Sequence, residues 1–351
     1  MEMMRCGTLV APFEMRVDQF PKPEVDDDTV IIKLAGIGIC GSNLHWWNGG
    51  GPATALLQYP LPGAGAHEFA GVVVEAGKNV KRVKVGDRVA IDQFESGSCG
   101  ACQYCASGLF IHCDNRKIYS LPGYVEYIKF SEKGLYPIPD GIETHVAAVA
   151  EPAACSVAGL RRAGLMGGEN VAVLGAGVLG LAAAGAAKTL GAGRVAITAK
   201  YDTQARLAAK FGADGVVSSS GDDAVQRMNA ELGGRGADVV VETVGGHAPT
   251  WDQALELVRP GGKIVVLGLW DELMQVDSWK AVLKDVTVIF SLTYGIQGKK
   301  SDYELTLEWM ASRKVPAQDL VSHVMPLDDI GEAFKLAADK SRGAIKVIIR
   351  P

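Results

Sequence analysis

Residues 170–180 read Asn-Val-Ala-Val-Leu-Gly-Ala-Gly-Val-Leu-Gly, an apolar strand pattern that runs into G-x-G-x-x-G and then an Ala-rich helical pattern. A glycine motif indicates a dinucleotide site only when it follows a strand and opens a helix, as it does here. Gly175 permits a tight turn, Gly177 lets a pyrophosphate approach the backbone, and Gly180 lets helix and strand pack closely. The residues predicted to bind a dinucleotide here are Gly175, Gly177, Val178, Leu179 and Gly180.

On the C-terminal side of this stretch, short apolar runs alternate with Ala- and Leu-rich helical stretches. The predicted strands are Asn170–Leu174, Arg194–Thr198, Gly215–Val217, Ala237–Glu242, Gly262–Leu267 and Val286–Phe290. Strands that alternate with helices predict the α/β class, with a doubly wound, six-stranded parallel sheet of the Rossmann type. We assign this cofactor domain to residues 153–291.

The first 150 residues have a different texture, with short β-branched runs separated by Gly, Pro and Asp turns such as Val85-Gly-Asp87. The tail reads as helices followed by a strand at Ile345–Ile349. We therefore expect a second, β-rich domain composed of residues 1–152 and 292–351.

The end of the second predicted cofactor-domain strand bears on the choice between NAD and NADP. NAD-binding domains place an acid there, about 20 residues after the glycines, but this chain has Ala199, Lys200 and Tyr201. A small residue leaves room for a 2′-phosphate, and Lys200 would neutralise it. The alternative is that Lys200 is a solvated surface charge and Asp202, a candidate helix N-cap, binds the ribose. The pattern favours NADP over NAD.

Four cysteines are crowded into fifteen residues, at positions 99, 102, 105 and 113. Zinc prefers four thiolates in closed structural sites with short ligand loops. An iron–sulfur cluster is the rival, although the bacterial ferredoxin run ends in a three-residue gap and a proline. We predict a structural zinc lobe at about residues 95–115, with Cys99, Cys102, Cys105 and Cys113 as ligands.

Further candidate metal ligands are scattered through the β-rich part: Cys40, the pair His67-Glu68, and Glu151. Cys155, one helical turn after Glu151, is a competing candidate. A thiolate, an imidazole and one or two carboxylates form a mixed set, of the kind that holds a catalytic zinc with one position open.

Together these motifs resemble the zinc-dependent medium-chain alcohol dehydrogenases, over essentially the whole chain. The matching landmarks are Cys40-Gly-Ser, His67-Glu68, Val85-Gly-Asp-Arg-Val, the Cys99–Cys113 lobe, Glu151-Pro152 and Gly175–Gly180. The first and fifth of these look most like the polyol, sugar-acid and threonine dehydrogenase branch. The resemblance implies a GroES-like fold for the β-rich catalytic domain.

The resemblance also implies two zinc ions per chain, one structural and one catalytic. Cys40 and His67 would bind the catalytic zinc, while Glu68 and Glu151 share the remaining positions directly or through water. The family usually has Asp where this chain has Asn43. That Asp steadies a zinc-bound imidazole, and such partners matter about 10–100-fold, so Asn43 leaves the strength of this site open.

By the same resemblance, Ser42 would take the substrate proton and His45 would pass it to solvent. The expected activity is hydride transfer between NAD(P) and a secondary alcohol, specifically a polyol, sugar or sugar acid. The alternatives are an L-threonine 3-dehydrogenase-like or simple secondary-alcohol dehydrogenase and, more remotely, a zinc-free quinone reductase or a non-catalytic NADP-binding protein.

Composition limits the other possible roles. The net charge of −5 argues against a nucleic-acid or anionic-membrane partner, and we find no signal-peptide pattern or transmembrane run. We expect a cytoplasmic enzyme with a small alcohol or polyol substrate. By resemblance, it would form a homo-dimer or homo-tetramer through the sheet edge at Val286–Phe290.

Overall fold

The computed structural model describes residues 1–50, 57–121 and 123–351, which divide into two compact units. The first unit comprises Met1–Glu151, Gly295–Ala311 and Val321–Pro351, and the second comprises Pro152–Tyr294 and Ser312–Leu320. This division departs from the predicted boundaries at residue 152, residues 292–294 and residues 312–320, all of which lie in the second unit. Within the second unit, an ion pair of 2.9 Å joins Lys210 Nζ to Asp319 Oδ1.

The strands follow in chain order. In the first unit they begin with β1 (Met3–Ala11), β2 (Glu14–Pro21), β3 (Thr29–Gly38), β4 (Leu61–Pro62), β5 (Glu68–Ala76), β6 (Arg88–Ile91), β7 (Tyr127–Ser131) and β8 (Leu135–Pro137). The second unit holds β9 (Asn170–Leu174), β10 (Arg194–Ala199), β11 (Gly215–Ser218), β12 (Ala237–Glu242), β13 (Val258–Val266) and β14 (Thr287–Phe290). The first unit resumes with β15 (Ile296–Gln297), β16 (Lys300–Ser301), β17 (Val321–Pro326) and β18 (Lys346–Arg350).

The α-helices lie between these strands. They are α1 (Gly41–Asn48), α2 (Gln93–Gly97), α3 (Gln103–Ala106), α4 (Ala150–Ala163), α5 (Val178–Thr189), α6 (Asp202–Lys210), α7 (Ala224–Glu231), α8 (Thr250–Leu257), α9 (Ser278–Leu283), α10 (Asp302–Ala311), α11 (Ala317–Leu320) and α12 (Ile330–Ala338). Within the described residues, no helix is both long and apolar enough to span a bilayer.

The first unit is built on a large sheet with strand order β17-β18-β3-β5-β6-β8, in which β7 also pairs with β3. A smaller sheet has the order β2-β1-β4. Strand β3 is central, and Val30, Ile32 and Ile37 are fully buried in the core. The antiparallel register opposes Gly38, at the end of β3, to Glu68, at the start of β5. Segments that are distant in sequence therefore meet where β3 ends and β5 begins.

The second unit is a parallel sheet with strand order β11-β10-β9-β12-β13-β14, within the fully described stretch 152–294. Val171, Val173 and Val240 are fully buried, as expected for strands covered by helices on both faces. The order reverses between β9 and β12, which is the switch point where dinucleotides bind in such sheets. The predicted α/β class and Rossmann topology are confirmed. Four of the six predicted strands begin at their predicted residue.

Candidate functional site

The sheet register brings three of the predicted metal ligands together. Cys40 lies two residues after Gly38 at the end of β3, and His67 directly precedes β5. Because Gly38 and Glu68 are opposed, the donor atoms of Cys40, His67 and Glu68 all lie within 4.8 Å of one another. We call these three residues the mixed site.

The thiol and imidazole of the mixed site influence each other strongly. Burial opposes ionisation of Cys40, yet contact with His67 lowers the pKa of its thiol. Burial likewise acts to lower the pKa of His67, but the Cys40 thiolate and the nearby carboxylates raise it to about 10. Each side chain therefore favours the charged form of the other when no metal is bound. A metal ion that displaces the imidazolium proton would find one thiolate and one neutral imidazole, which are ordinary zinc ligands.

Glu68 is held by a residue that the sequence did not point to. Its Oε1 accepts a hydrogen bond of 2.5 Å from Lys346 Nζ, and both side chains are at most 2% exposed. Lys346 Nζ also donates to the Ile39 carbonyl at 2.9 Å. The second carboxylate oxygen, Oε2, is buried and has no hydrogen-bond partner among the described residues. A buried carboxylate oxygen without a donor suits a cation, so this donor set fits a metal.

Glu151 lies close enough to affect the mixed site but is not grouped with it. It is the second residue of α4 and only 4% exposed. Burial raises the pKa of Glu151 to about 8, and its charge in turn raises the pKa of His67. Neither Glu151 nor Cys155 belongs to the groups of metal-ligand atoms found among the described residues. The geometry therefore brings Glu68, rather than Glu151, next to Cys40 and His67.

Asn43 connects the segments that carry the mixed site. Its Oδ1 accepts from the Cys40 backbone N–H and the Tyr124 hydroxyl, each at 3.1 Å. Its Nδ2 donates to the carbonyls of Ala64 and Gly65, at 3.2 and 3.0 Å. Asn43 thus reaches His67 only through the backbone of the preceding loop.

The predicted proton-relay residues lie on α1, directly after Cys40. Ser42 and His45 are both half-buried and are three positions apart, which places them on one face of this helix. The helix continues from the ligand segment, so both residues are positioned by the same backbone that holds Cys40.

The four predicted lobe cysteines also come together, with their sulfur atoms all within 4.8 Å. Cys105 Sγ lies 3.9 Å from Cys99 Sγ and 3.5 Å from Cys102 Sγ. A tetrahedron with zinc–sulfur bonds of about 2.3 Å has edges of about 3.8 Å, so these separations fit one ion. The N–H groups of Ala101 and Cys102 donate to Cys99 Sγ and lower the pKa of its thiol to about 6. The Cys99 N–H donates to Cys113 Sγ at 3.2 Å.

The glycine loop has the geometry that the motif predicts. Gly175 has φ 98°, in the left-handed region that favours glycine, and its N–H donates to Thr198 Oγ1 at 2.8 Å. A Cβ at Gly180 would collide with the Gly175 carbonyl, whereas a Cβ at Gly177 would meet nothing within 4 Å. The open side of Gly177 is where a phosphate could approach, and Val178 and Leu179 open α5 beside it.

The segment predicted to choose the cofactor lies at the end of β10. Ala199 is buried, and Lys200 is exposed with its Nζ 5.7 Å from the centre of the Tyr201 ring. Tyr201 occupies the N-cap position of α6, so Asp202 is the first helical residue rather than the cap. Gln204 Oε1 accepts from the N–H groups of Lys200 and Tyr201.

Sequence reasoning missed two functional neighbours, Lys346 and Tyr124. A signal for the first exists in Ala344-Ile-Lys-Val-Ile-Ile349, where a single charge interrupts a strongly apolar run. Such a lysine is buried only if it is paired, and its partner must then be an acid elsewhere. No local pattern marks Tyr124, because its hydroxyl meets Asn43 only through the tertiary fold.

A GroES-like β-rich unit and a Rossmann unit define a two-domain, dinucleotide-dependent oxidoreductase. Residues 26–140 match the family model described as alcohol dehydrogenase GroES-like domain, and residues 178–312 match zinc-binding dehydrogenase. Sorbitol dehydrogenase from Bacillus subtilis (strain 168) is 30% identical to this chain, covering 99% of this chain and 97% of that protein.

Two further proteins are similar over nearly their whole length. L-threonine 3-dehydrogenase from Bacillus velezensis is 30% identical, covering 97% of this chain and 96% of that protein. The crystal structure of a candidate zinc-binding dehydrogenase from Sinorhizobium meliloti 1021, bound to NADP, is 28% identical with a TM-score of 0.82, covering 100% of both chains. The chain belongs to the zinc-type medium-chain alcohol dehydrogenases, in the branch of the polyol and threonine dehydrogenases. The predicted family, enzyme class and GroES-like fold are confirmed.

Proposed function

We propose that this enzyme transfers hydride between NADP and a secondary hydroxyl group of a polyol, sugar or sugar acid, with zinc bound at the mixed site. One observation carries the proposal. In a member of a zinc dehydrogenase family, the donor atoms of Cys40, His67 and Glu68 converge within 4.8 Å, and Glu68 Oε2 lacks a donor.

Cys40, His67 and Glu68 would hold the zinc, and Glu151 is near enough for its charge to raise the pKa of His67. When bound, zinc supplies Lewis acidity that favours deprotonation of a hydroxyl group. A second, structural zinc is held by Cys99, Cys102, Cys105 and Cys113, whose sulfur separations suit a tetrahedral ion. We thus propose two zinc ions per chain.

Ser42 and His45 move the proton that the substrate releases. Ser42 follows the ligand Cys40 by two residues, so its hydroxyl is carried by the backbone that positions the site. His45 lies one helical turn further along the same face, and an imidazole is suited to exchange protons with solvent near neutral pH.

NADP is the proposed cofactor because of the end of β10. A 2′-phosphate there would meet the small side chain of Ala199 and the exposed ammonium of Lys200, with no carboxylate at the strand end. The similar Sinorhizobium meliloti structure is bound to NADP. Ala199→Asp should raise the KM for NADP by about tenfold or more through charge repulsion, and leave that for NAD less affected. An unchanged KM for NADP contradicts the assignment.

The proposed substrate class is inferred from the dehydrogenases that this chain is similar to. Sorbitol dehydrogenase acts on a polyol, and a polyol or sugar acid offers the secondary hydroxyl that this chemistry needs. The similarity to L-threonine 3-dehydrogenase makes threonine the second candidate.

The decisive experiment combines metal analysis with a substrate panel. Zinc per chain is measured on the purified enzyme, and hydride transfer is followed by nicotinamide absorbance with sorbitol, xylitol, sugar acids, threonine and 2,3-butanediol, each with NAD and NADP. We expect two zinc ions and the highest kcat/KM with a polyol or sugar acid and NADP. A single zinc, or activity confined to threonine, contradicts the proposal.

We also propose that two copies of the chain associate through the edge of the Rossmann sheet. Strand β14 ends the sheet, and a row of large apolar side chains beside it is exposed. These are Trp279, Val282, Leu283, Phe290 and Leu292, each at least 58% exposed. A matching edge from a second copy would pair the open strand and cover this surface. Light scattering should give the mass of a dimer or a multiple of it, and Phe290→Lys should weaken the assembly.

A further inference from the structure

We propose that Asn43 is a positioning residue that locks the two ligand segments of the mixed site together, and that this site requires an amide there rather than a carboxylate. The inference rests on the proposed function, because it concerns residues assigned to zinc. It addresses the strength of this site, which the sequence left open because the family usually has Asp at this position.

Both ends of the Asn43 amide are hydrogen-bonded. The side chain is 1% exposed, and an amide offers two acceptor sites on oxygen and two donors on nitrogen. The oxygen accepts from the Cys40 N–H and lies 3.1 Å from the Tyr124 hydroxyl, whose single proton is shared with the Gly38 carbonyl at 3.3 Å. The nitrogen meets two acceptors, the carbonyls of Ala64 and Gly65. Because a backbone N–H can only donate and a carbonyl can only accept, these partners determine which terminal atom of the Asn43 amide is oxygen and which is nitrogen.

The loop that faces Asn43 is bent so that both carbonyls point at the amide. Gly63, Ala64 and Gly65 have φ values of 76°, 46° and 66°, three successive residues in the left-handed region. A Cβ at position 65 would collide with the ring of Trp46. The left-handed conformation costs a non-glycine residue such as Ala64 free energy, so the surrounding contacts must hold it. The two hydrogen bonds from Asn43 Nδ2 are contacts of that kind.

The Gly65 carbonyl in turn orients the ring of His67. It lies 3.0 Å from His67 Nδ1. Since a carbonyl only accepts, Nδ1 carries the proton, and Nε2 remains as the ring nitrogen for a metal. Metal-binding histidines are commonly held in this way, with the second nitrogen donating to a carbonyl or carboxylate. Asn43 therefore holds the backbone of Cys40 with its oxygen and, through Gly65, the ring of His67 with its nitrogen.

A carboxylate at position 43 could make only half of these contacts. It accepts but cannot donate when ionised, so one oxygen would face the two carbonyl oxygens with no proton between them. The carbonyl that orients His67 would be repelled. The amide at 43 and the left-handed turn at 63–65 are thus matched to each other.

The test compares Asn43→Asp with Asn48→Asp, the same substitution five residues later on the same helix. Asn48 is exposed, and its Oδ1 accepts from the Gly50 N–H, which a carboxylate can also do. Zinc affinity is measured by competition with a chromophoric chelator on the full chain. We expect Asn43→Asp to lower the affinity of the mixed site by about 10–100-fold, to leave the zinc of the four-cysteine lobe in place, and to lower the Tm of the metal-free protein. Asn48→Asp should bind as the wild type does.

A spectroscopic readout separates positioning from general damage. Co²⁺ is loaded into the mixed site while the lobe keeps zinc, and its visible bands report ligand geometry. We expect shifted bands in Asn43→Asp and wild-type bands in Asn48→Asp. Unchanged affinity and bands in Asn43→Asp overturn the inference but leave the proposed function intact.

A wild-type chain that binds metal only at the lobe overturns the proposed function instead, and the inference with it. If Asn43→Asp does not fold, Asn43→Ala decides the question. It removes both donors without adding charge, and wild-type zinc affinity in that variant overturns the inference.

Discussion

The two groups of candidate metal ligands, the four-cysteine lobe and the mixed site, lie in the same unit but are assembled differently. The lobe takes all its sulfur atoms from residues 99–113, and backbone N–H groups of the same loop donate to two of them. The mixed site takes its ligands from the end of β3 and the start of β5, and its carboxylate is paired with Lys346 on β18. Local chain geometry therefore builds the lobe, whereas the mixed site exists only in the folded sheet.

The largest effect should come from removing the imidazole of the mixed site. His67→Ala deletes a proposed zinc ligand, and we expect kcat/KM to fall by at least about 10³-fold, since loss of one electrostatic stabiliser alone can cost that much. Stability should change far less. His112→Ala in the lobe is the matched control, because His112 is exposed and is not among the predicted ligands. Steady-state kinetics and zinc content are measured for both variants. Appreciable activity in zinc-depleted His67→Ala would contradict a catalytic role for the mixed site.

Removal of a predicted ligand from the four-cysteine lobe should lower stability more than it lowers activity. Cys105→Ser removes one of the four predicted structural-zinc ligands, and a structural zinc contributes to folding, so we expect loss of one zinc and a Tm lower by several degrees. Each kcal/mol corresponds to roughly 2–4 °C in a domain of 150–250 residues. Ser107→Ala, at an exposed hydroxyl in the same loop, should change little. If Cys105→Ser kept its Tm but lost kcat, the lobe would be catalytic and the comparison would fail.

The buried Glu68–Lys346 pair allows a sharper test of whether Glu68 binds zinc. Lys346→Met leaves a buried carboxylate without its cation, a change that costs about 3–5 kcal/mol. If zinc is bound to Glu68, the loss should be smaller in the zinc-loaded than in the metal-free protein. Chemical unfolding of both forms measures this difference. The control is Lys335→Met, whose exposed pair with Glu332 is worth less than about 1 kcal/mol. An equal loss in both forms argues that Glu68 is not a zinc ligand.

Ser42→Ala should have the most narrowly confined effect, because it should change turnover alone. A positioned proton-transfer group contributes about 10²-fold or more, so kcat should fall by about that factor while zinc content and Tm stay at wild-type values. A lower kcat at unchanged zinc content separates proton transfer from metal binding. Normal turnover in Ser42→Ala would remove the relay role.

The same contrast explains how much could be predicted from sequence. The spacing of the lobe cysteines and the strand pattern around Gly175–Gly180 are local, and both gave the observed arrangement. The register that opposes Gly38 to Glu68 is not local, so the grouping of Cys40 with His67 was known only through resemblance. The two donors on Asn43 Nδ2 could not be foreseen either, because the left-handed turn that receives them depends on tertiary contacts.

The pairing of Glu68 with Lys346 also has a consequence for biosynthesis. The two residues are 278 positions apart, so at about 5–20 residues per second the ribosome makes the lysine roughly 15–55 s after the glutamate. During that interval the carboxylate cannot be sealed into the interior with its cation. Until β18 pairs with β3, the Glu68 carboxylate must therefore stay hydrated, or be neutralised by a proton or a bound cation. Lys346 can balance the charge of Glu68 only after β18 has been synthesised.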